Sequence, residues 1–469
     1  NWTRIYRNKK MLLNYRERVK MLEISETKKN FIKDNKPWFY LADTCWSAFT
    51  NISEEDWEYY LDTRRKQGFN VIQVNMLWQW DSSTTNLNYL PFHVNENGEF
   101  DFSQPNQEYF DRAERMVATA RDKGIVTALV LLWCNYLPNT WASDLKIRQV
   151  GLFPKEEVEA YTRMVVERFD QYNPIYIISG DTDFQTEEVI NEYYSLCLNT
   201  VKLLSPNALT TLHIRGREKN LPKQLEENPN LDFYMYQSGH NQLYPSMCYE
   251  LGEYFANKEP KKPVLNSEPC YEMMGFSRNA YGRFSREDVR KVAWQSVLSG
   301  AQAGITYGAH GIWSWHDERM EFDSSIGESF ETPYDWHQAL TFKGASDYGY
   351  LKSFMEQHHF EQLVPNQTII QNGLNENTSV FQQGSNSIPN CYQAVKEIRA
   401  AETETEWIIY VPSNIKLQLK GDLSSKDMVY ISLDDYKQEI VSAIYIEQSN
   451  KTVVNMHHFM KDAVLIIKK

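Results

Sequence analysis

Two short stretches place acids where a chain could use them chemically: Tyr176-Ile-Ile-Ser-Gly-Asp181 and Asn266-Ser-Glu-Pro-Cys-Tyr-Glu272. Each is a brief apolar run that stops on a carboxylate, Asp181 in one and Glu268 in the other. Pro269 stiffens the turn after Glu268 and so gives that side chain one direction. Two converging carboxylates meet the needs of glycosidic bond cleavage. One is protonated to assist the leaving oxygen, and the other is ionised at the anomeric carbon. Nearby acids compete for these positions. Asp183 reads as a loop residue capping the helix that starts near Thr186, and Glu272 as a support for its own loop or a contact to a substrate hydroxyl.

The acids need a frame that brings distant segments together. From Pro37 to about residue 360, short apolar runs alternate with amphipathic stretches. The runs are 38–43, 70–77, 125–133, 174–181, 209–214, 231–238, 263–268 and 304–315. They are rich in Val, Ile and Tyr and mostly unalternated, as strands buried on both faces should be. Helical spacing occupies 53–68, 106–124, 154–171, 186–204, a short piece near 246–257, and 285–300, with Ser, Thr or Pro at several starts and Gly at several ends. Eight such units predict an α/β fold, a (β/α)8 barrel over 37–360. No G-x-G-x-x-G follows the first run, which argues against an open nucleotide-binding sheet. After residue 361 short strand-like runs, from "SVFQQ" and "CYQAVKEI" to "AVLIIKK", are separated by Asn, Ser, Gly and Asp turns, predicting a small all-β sandwich to residue 469. Residues 1–36 read as a basic segment and a hairpin, with "KDNKP" as its turn, leading into the barrel.

In such a barrel, chemistry collects at the C-terminal rim of the strands. The candidates there for substrate contact are Asp43, Trp46, Asn75, Trp78, Trp133, His213, Tyr236, Gln237, His310 and Trp313. Trp80, Arg215, His240, Trp315 and His316 fall at the same strand ends. Side chains alternate along a strand, so about half of the tryptophans belong to the core rather than to a sugar platform. Asp43 serves equally well as a tie between neighbouring strands, and His213 and His310 as orienting groups for Glu268 or as core histidines. Long loops at 79–105 and 316–345 predict a walled pocket and therefore action at chain ends. In the sandwich, Trp407 and Tyr410 are lesser candidates for sugar contact.

Composition narrows the function classes. The 469 residues carry 14% aromatics and a net charge of −13, which disfavours a nucleic-acid surface. The exception is the first twenty residues, rich in Lys and Arg, read as a solvated helix or a partner contact. No apolar run approaches the roughly 20 residues of a membrane span. Six scattered cysteines without CxxC spacing signal neither zinc nor a disulfide framework and favour a reducing, cytoplasmic setting; Cys197 and Cys391 read as small core residues. A metal site built from His213, His240, His310 and Asp181 lacks HxH or HExxH spacing. No phosphate-cradling loop calls for a nucleotide. The expected partner is a carbohydrate with no cofactor, and oligomeric state has no signature. The alternative from another class is a carbohydrate-binding barrel without turnover, which would predict the loss of one acid.

"PWFYLADTCW", "GFNVIQVNMLW", "YIISGD", "NSEPCYE" and "YGAHGIW" resemble the bacterial apiosidase-like glycoside hydrolases, over roughly residues 20–360. The resemblance implies a barrel of the large clan of retaining enzymes with acids on strands four and seven, often followed by a β-sandwich. It further implies Asp181 as general acid/base and Glu268 as nucleophile. Two departures stand out. Gly180-Asp181 replaces the wider clan's Asn-Glu pair, and Ser179 stands where the family often has a second glycine.

Overall fold

The computed structural model describes residues 21–85, 87–145, 150–278, 280–322, 330–373 and 394–469. Its centre is one parallel sheet of eight strands: β1 (Tyr40–Thr44), β2 (Val71–Asn75), β3 (Val126–Trp133), β4 (Ile175–Gly180), β5 (Thr210–Thr211), β6 (Tyr234–Tyr236), β7 (Val264–Asn266) and β8 (Gly304–Tyr307). Neighbours run β5-β4-β3-β2-β1-β8-β7-β6, which leaves the consecutive strands β5 and β6 at the two ends. That seam is bridged without a regular ladder. Asp232 N donates to the Thr210 carbonyl at 3.0 Å, and Thr211 Oγ1 donates to the Phe233 carbonyl at 2.8 Å. The sheet is therefore a nearly closed (β/α)8 barrel. Strand five, expected over 209–214, shrinks to two residues because threonine hydroxyls take over bonds that a ladder would make.

Helices α1 (Glu54–Lys66), α2 (Gln107–Asp122), α3 (Lys155–Phe169), α4 (Leu196–Leu204), α5 (Lys223–Glu226), α6 (Met247–Ala256), α7 (Arg286–Leu298) and α8 (Gly344–Gln357) follow the strands in turn. Start signals behave as the sequence predicts: Ser53 accepts from Asp56 N, and Ser285 with Asp288 forms a reciprocal capping box. Two expectations need correction. The helix expected over 186–204 opens as a π-helix, Val189–Ser195. The last strand, expected to reach residue 315, ends at Tyr307, and the chain then turns through Gly311 at φ +127°.

Below the barrel, strands Glu23–Ile24, Phe31–Lys33 and Lys36–Trp38 form an antiparallel sheet. Asp34 and Asn35 both adopt left-handed φ, 54° and 60°, which suits a tight turn between paired strands. Phe31 is buried and meets Phe233 edge-on at 5.0 Å, so this sheet plugs the N-terminal end. Residues 1–20 and Cys391, both assigned roles from the sequence, lie outside the described residues. The other five cysteines are buried and free. Among the described residues no helix is long and apolar enough to cross a membrane.

The C-terminal region stacks a six-stranded antiparallel sheet on a three-stranded one. "CYQAVKEI" is not a strand where it is described: Ala394–Glu397 is a 3-10 helix, and strand pairing starts at Arg399. In strand Glu406–Val411 the side chains alternate. Ile408 and Tyr410 join the barrel core, while Ile409 and Val411 join the sandwich core. Tyr410 stacks on Trp294 of α7 with ring centroids 6.3 Å apart, so it is spent on packing and not free for sugar. Arg290 of α7 anchors the contact. It pairs with Asp462 of the sandwich at 3.0 and 2.5 Å and with Asp347 of α8 at 3.1 Å, its side chain 1% exposed. Removing it strands Asp462, whose other partner here is the Tyr410 hydroxyl at 3.1 Å. Arg290→Met is expected to lower unfolding free energy by about 3–5 kcal/mol in urea titration. A loss below about 1 kcal/mol, typical of an exposed pair, would contradict this reading.

Candidate active site

Residues following all eight strands line one pocket of about 140 Å³ at the C-terminal rim. Trp46 follows β1, Gln79, Trp80 and Asp81 follow β2, Trp133 ends β3, and Asp181 follows β4. Arg215 and Arg217 follow β5, Gln237 and His240 follow β6, Glu268 and Tyr271 follow β7, and Trp313 and Phe330 follow β8. The loops after β2 and β8 are joined into one wall: Ser83 Oγ lies 2.8 Å from His316 Nδ1, and Thr84 N donates to the Glu321 carbonyl at 2.8 Å.

Glu268 is buried, and two imidazoles hold its carboxylate. His240 Nε2 is 2.8 Å from Oε1, and His213 Nε2 is 2.9 Å from Oε2. Burial alone would push this carboxyl up, but the two histidines outweigh it and bring the pKa down from an ordinary 4.5 to about 2. The group is therefore an anion at neutral pH. His213 Nδ1 sits 3.0 Å from Ser267 Oγ, whose hydroxyl donates to the Tyr236 carbonyl at 3.2 Å. The backbone holds the same arrangement. Ser267 N donates to the Tyr236 carbonyl at 2.8 Å, and Gly239 N to the Glu268 carbonyl at 3.0 Å.

Asp181 begins the loop after β4 at φ +52°, a left-handed conformation that an Asp tolerates better than most residues. Its carbonyl accepts from Trp141 Nε1 at 2.7 Å, which fixes the bend. Gly180 before it is required by contact: a Cβ there would lie 2.3 Å from the Trp133 ring. Trp133 is itself wedged against Trp46 and His213, with ring centroids 5.1 and 5.9 Å away. Asp183 does not line the pocket. It lies in the loop as expected, but it bonds Gln185 and pairs with Arg215, and the capping bond goes instead from Val189 N to Thr186 Oγ1.

Of the sequence candidates, Trp46, Trp133, Gln237 and Trp313 line the pocket with the two acids. The others do not. Asp43 points away from the rim into a fully buried pair with Arg64 at 2.5 Å, joined by Tyr60. Tyr236 also faces outward and donates to the Cys248 carbonyl, because residues alternate and Gln237 takes the inward place. Trp78 is half-buried and gives its carbonyl to Tyr136. Asn75 stands behind the wall and donates to Gln79 Oε1 at 2.9 Å, and Gln79 in turn donates to Asp81. His213 lies beneath the pocket against Glu268. His310 is a positioning group: its Nε2 meets the Glu331 carbonyl and its Nδ1 accepts from Trp313 Nε1 at 3.1 Å. Burial holds His310 neutral, with a pKa near 3, as that acceptor role requires. Glu272 is structural, accepting from Tyr307 and from Gly344 N.

The sequence puts His240 at a strand end, but nothing in it signals the contact with Glu268. Gln79, Asp81, Arg217 and Tyr271 sit in loops, and Trp141 opens a one-turn helix, Trp141–Asp144, so no periodicity in the sequence marks any of them. Several buried polar atoms along the pocket, namely Trp133 Nε1, Gln237 Oε1, His240 Nδ1 and Ser277 Oγ, have no hydrogen-bond partner among the described residues. Each costs on the order of 1–3 kcal/mol if left dry, so the pocket suits a ligand that bonds in many directions.

A family model described as "Apiosidase-like, catalytic domain" matches residues 25–362. Among solved structures, the chain is similar to a glycoside hydrolase family 5 protein from Bacteroides vulgatus ATCC 8482, with a TM-score of 0.74 and 24% identity over 96% of this chain and 93% of that one. It is also similar to a second glycoside hydrolase, with a TM-score of 0.71 and 23% identity over 96% and 97%. At these identities the likeness is one of fold. No curated protein is significantly similar to the chain.

The packing of Gly180 against Trp133 carries its own prediction. Gly180→Ala must displace the indole or bow β4 outward, and is expected to cost about 1–3 kcal/mol in urea unfolding and to change the near-UV circular dichroism of the tryptophans. Wild-type stability with an unchanged spectrum would contradict the contact.

Proposed function

Because the chain belongs to the apiosidase-like family of glycoside hydrolases, we propose that it hydrolyses a plant-type glycoside or short oligosaccharide from the chain end, with retention of configuration. The observation that carries the assignment of roles is the pair of imidazoles against Glu268, 2.8 and 2.9 Å from its two oxygens. A carboxylate held near pKa 2 by two imidazoles cannot donate a proton at neutral pH, but it is ready to attack. Two other acids line the pocket: Asp81 accepts from Gln79 in its own loop, and Asp181, at the end of β4 where the family resemblance puts the general acid/base, is taken as the donor. In the first step a Glu268 oxygen bonds to the anomeric carbon as the glycosidic C–O bond breaks, and the leaving oxygen takes the Asp181 proton. In the second step Asp181 removes a proton from water, whose oxygen attacks the same carbon. The ester to Glu268 breaks, and both carboxyl groups return to their starting states.

Support for a sugar comes from the indole faces of Trp46, Trp133 and Trp313 together with the unpaired polar atoms beside them. Support for action at a chain end comes from the joined wall and from the pocket's 140 Å³, small beside the roughly 300–1,000 Å³ of clefts for drug-sized ligands. The test uses 4-nitrophenyl glycosides of apiose, arabinose, rhamnose and galactose. Asp181→Asn is expected to reduce kcat/KM by about 10²–10⁴-fold, least with the best leaving groups, and Glu268→Gln to reduce it to background. Proton NMR of the first-formed product should show the substrate's anomeric configuration. Unchanged hydrolysis in either variant would remove its assigned role, and an inverted product would remove the double displacement.

A further inference from the structure

Asp81 lines the pocket beside Asp181 and Glu268, yet the double displacement gives it no task. Its position is set from the end of β2. Leu77 N donates to Asn75 Oδ1 at 3.0 Å, Asn75 Nδ2 to Gln79 Oε1 at 2.9 Å, and Gln79 Nε2 to Asp81 Oδ1 at 2.6 Å. Asn75 and Gln79 are buried, so a chain of amides runs from the strand to one oxygen of the carboxylate and fixes its direction. A carboxylate accepts about four hydrogen bonds over its two oxygens, and this chain supplies one of them.

Asp81 stands on one side of the bond to be cut. The leaving oxygen meets the proton donor, so the leaving group extends from the Asp181 side and not from the side that Glu268 and its imidazoles occupy. Trp141 Nε1 donates to the Asp181 carbonyl at 2.7 Å, Trp80 meets Trp141 edge-on at 6.0 Å, and Asp81 follows Trp80 in the chain. Burial first, and then the charges of Asp181, Asp183 and Asp81, push the Cys134 thiol up, which puts Asp81 and Asp181 within electrostatic reach of one buried atom. A leaving group seated against Trp80 and Trp141 takes water away from Asp81. An apolar or purely aromatic group would give nothing back and leave a stripped anion, a strongly unfavourable state. The hydroxyls of a sugar donate, while its carbon face suits the indoles.

Building on the reading of the site as a retaining glycosidase, we propose that Asp81 accepts hydrogen bonds from hydroxyls of the leaving group, which is therefore itself a sugar. The bond cut joins two sugars, and the substrate class narrows to oligosaccharides rather than phenolic or alkyl glycosides. The same site works in reverse on the glycosyl-enzyme, where a sugar seated there competes with water. Its hydroxyl oxygen bonds to the anomeric carbon, its proton goes to Asp181, and the ester to Glu268 breaks to restore the carboxylate.

That competition is the test. The 4-nitrophenyl glycosides of apiose, arabinose, rhamnose and galactose load the enzyme, and methyl glycosides of glucose, galactose, xylose and rhamnose compete with water for the glycosyl unit, with methanol as the control. The readout is the molar ratio of transfer product to free sugar at equal acceptor concentration, which is independent of how much enzyme is folded. In the wild type the best methyl glycoside is expected to exceed methanol by about tenfold or more. Asp81→Asn keeps the shape and an oxygen for Gln79 but loses the charge and one acceptor oxygen. It is expected to lower the methyl glycoside ratio about tenfold and to leave the methanol ratio within about twofold. A wild type in which no methyl glycoside exceeds methanol, or an Asp81→Asn ratio equal to the wild type's, overturns the proposal while release of 4-nitrophenol keeps the glycosidase reading. Hydrolysis of the 4-nitrophenyl glycosides as impaired in Asp81→Asn as in Asp181→Asn makes Asp81 a proton donor and overturns it as well. Release of 4-nitrophenol from none of the four removes instead the reading on which the proposal rests.

Discussion

A buried anion between two imidazoles is the constraint around which the rim is organised. Taking a carboxylate out of water costs several kcal/mol unless hydrogen-bond donors replace the lost hydration. Here the imidazoles against it come from two strands other than the anion's own: His213 from the end of β5 and His240 from beyond β6, with Glu268 itself beyond β7. Three consecutive strand ends must therefore agree in height and direction. That sector includes the barrel's weakest seam, where β5 and β6 lack a ladder and Arg217 N reaches across to the Gln237 carbonyl. On the other side of β5, His213 N reaches the Ser179 carbonyl and Arg215 N the Thr182 carbonyl. These bonds link the loop that bears Asp181 to those that bear the clamp on Glu268.

Packing extends the same logic outward. Trp133 lies against Gly180, Trp46 and His213, so the indole that lines the pocket also sets the space for both acids. Trp313 is held by a neutral His310, and Gln79 and Asp81 by Asn75 behind them. Pocket residues are thus oriented by a layer of buried polar groups, which makes their geometry depend on the core and not on loop flexibility. Behind the barrel, Arg290 between Asp347 and Asp462 ties α7 and α8 to the sandwich.

The strand count, the parallel order and the two acids were legible because each depends on local signals: apolar runs of strand length, helix caps, and carboxylates at abrupt strand ends. What the sequence hides is parity. Asp43 and Tyr236 sit at strand ends as expected, yet their side chains turn outward to Arg64 and Cys248, and only the barrel's register decides which of two adjacent residues faces in. The run 304–315 misled for a different reason. Its aromatics look like strand residues, but the strand stops at Tyr307 and the turn through Gly311 brings Trp313 to the pocket and Trp315 against Trp336. His240 lies four residues past β6, on a loop whose path is set by bonds to other loops. No spacing in its own segment records that path.

The most direct test of the account is the titration of the Glu268 carboxyl itself, followed through the side-chain carbon in ¹³C-labelled protein. The clamp predicts a carboxylate that stays ionised from neutral pH down past the ordinary glutamate value of 4.5, with its midpoint near 2, and a midpoint shifted upward when His213 or His240 is replaced by Ala. A wild-type midpoint at or above 4.5 would mean that burial outweighs the two imidazoles and that Glu268 is not the standing anion on which the site depends.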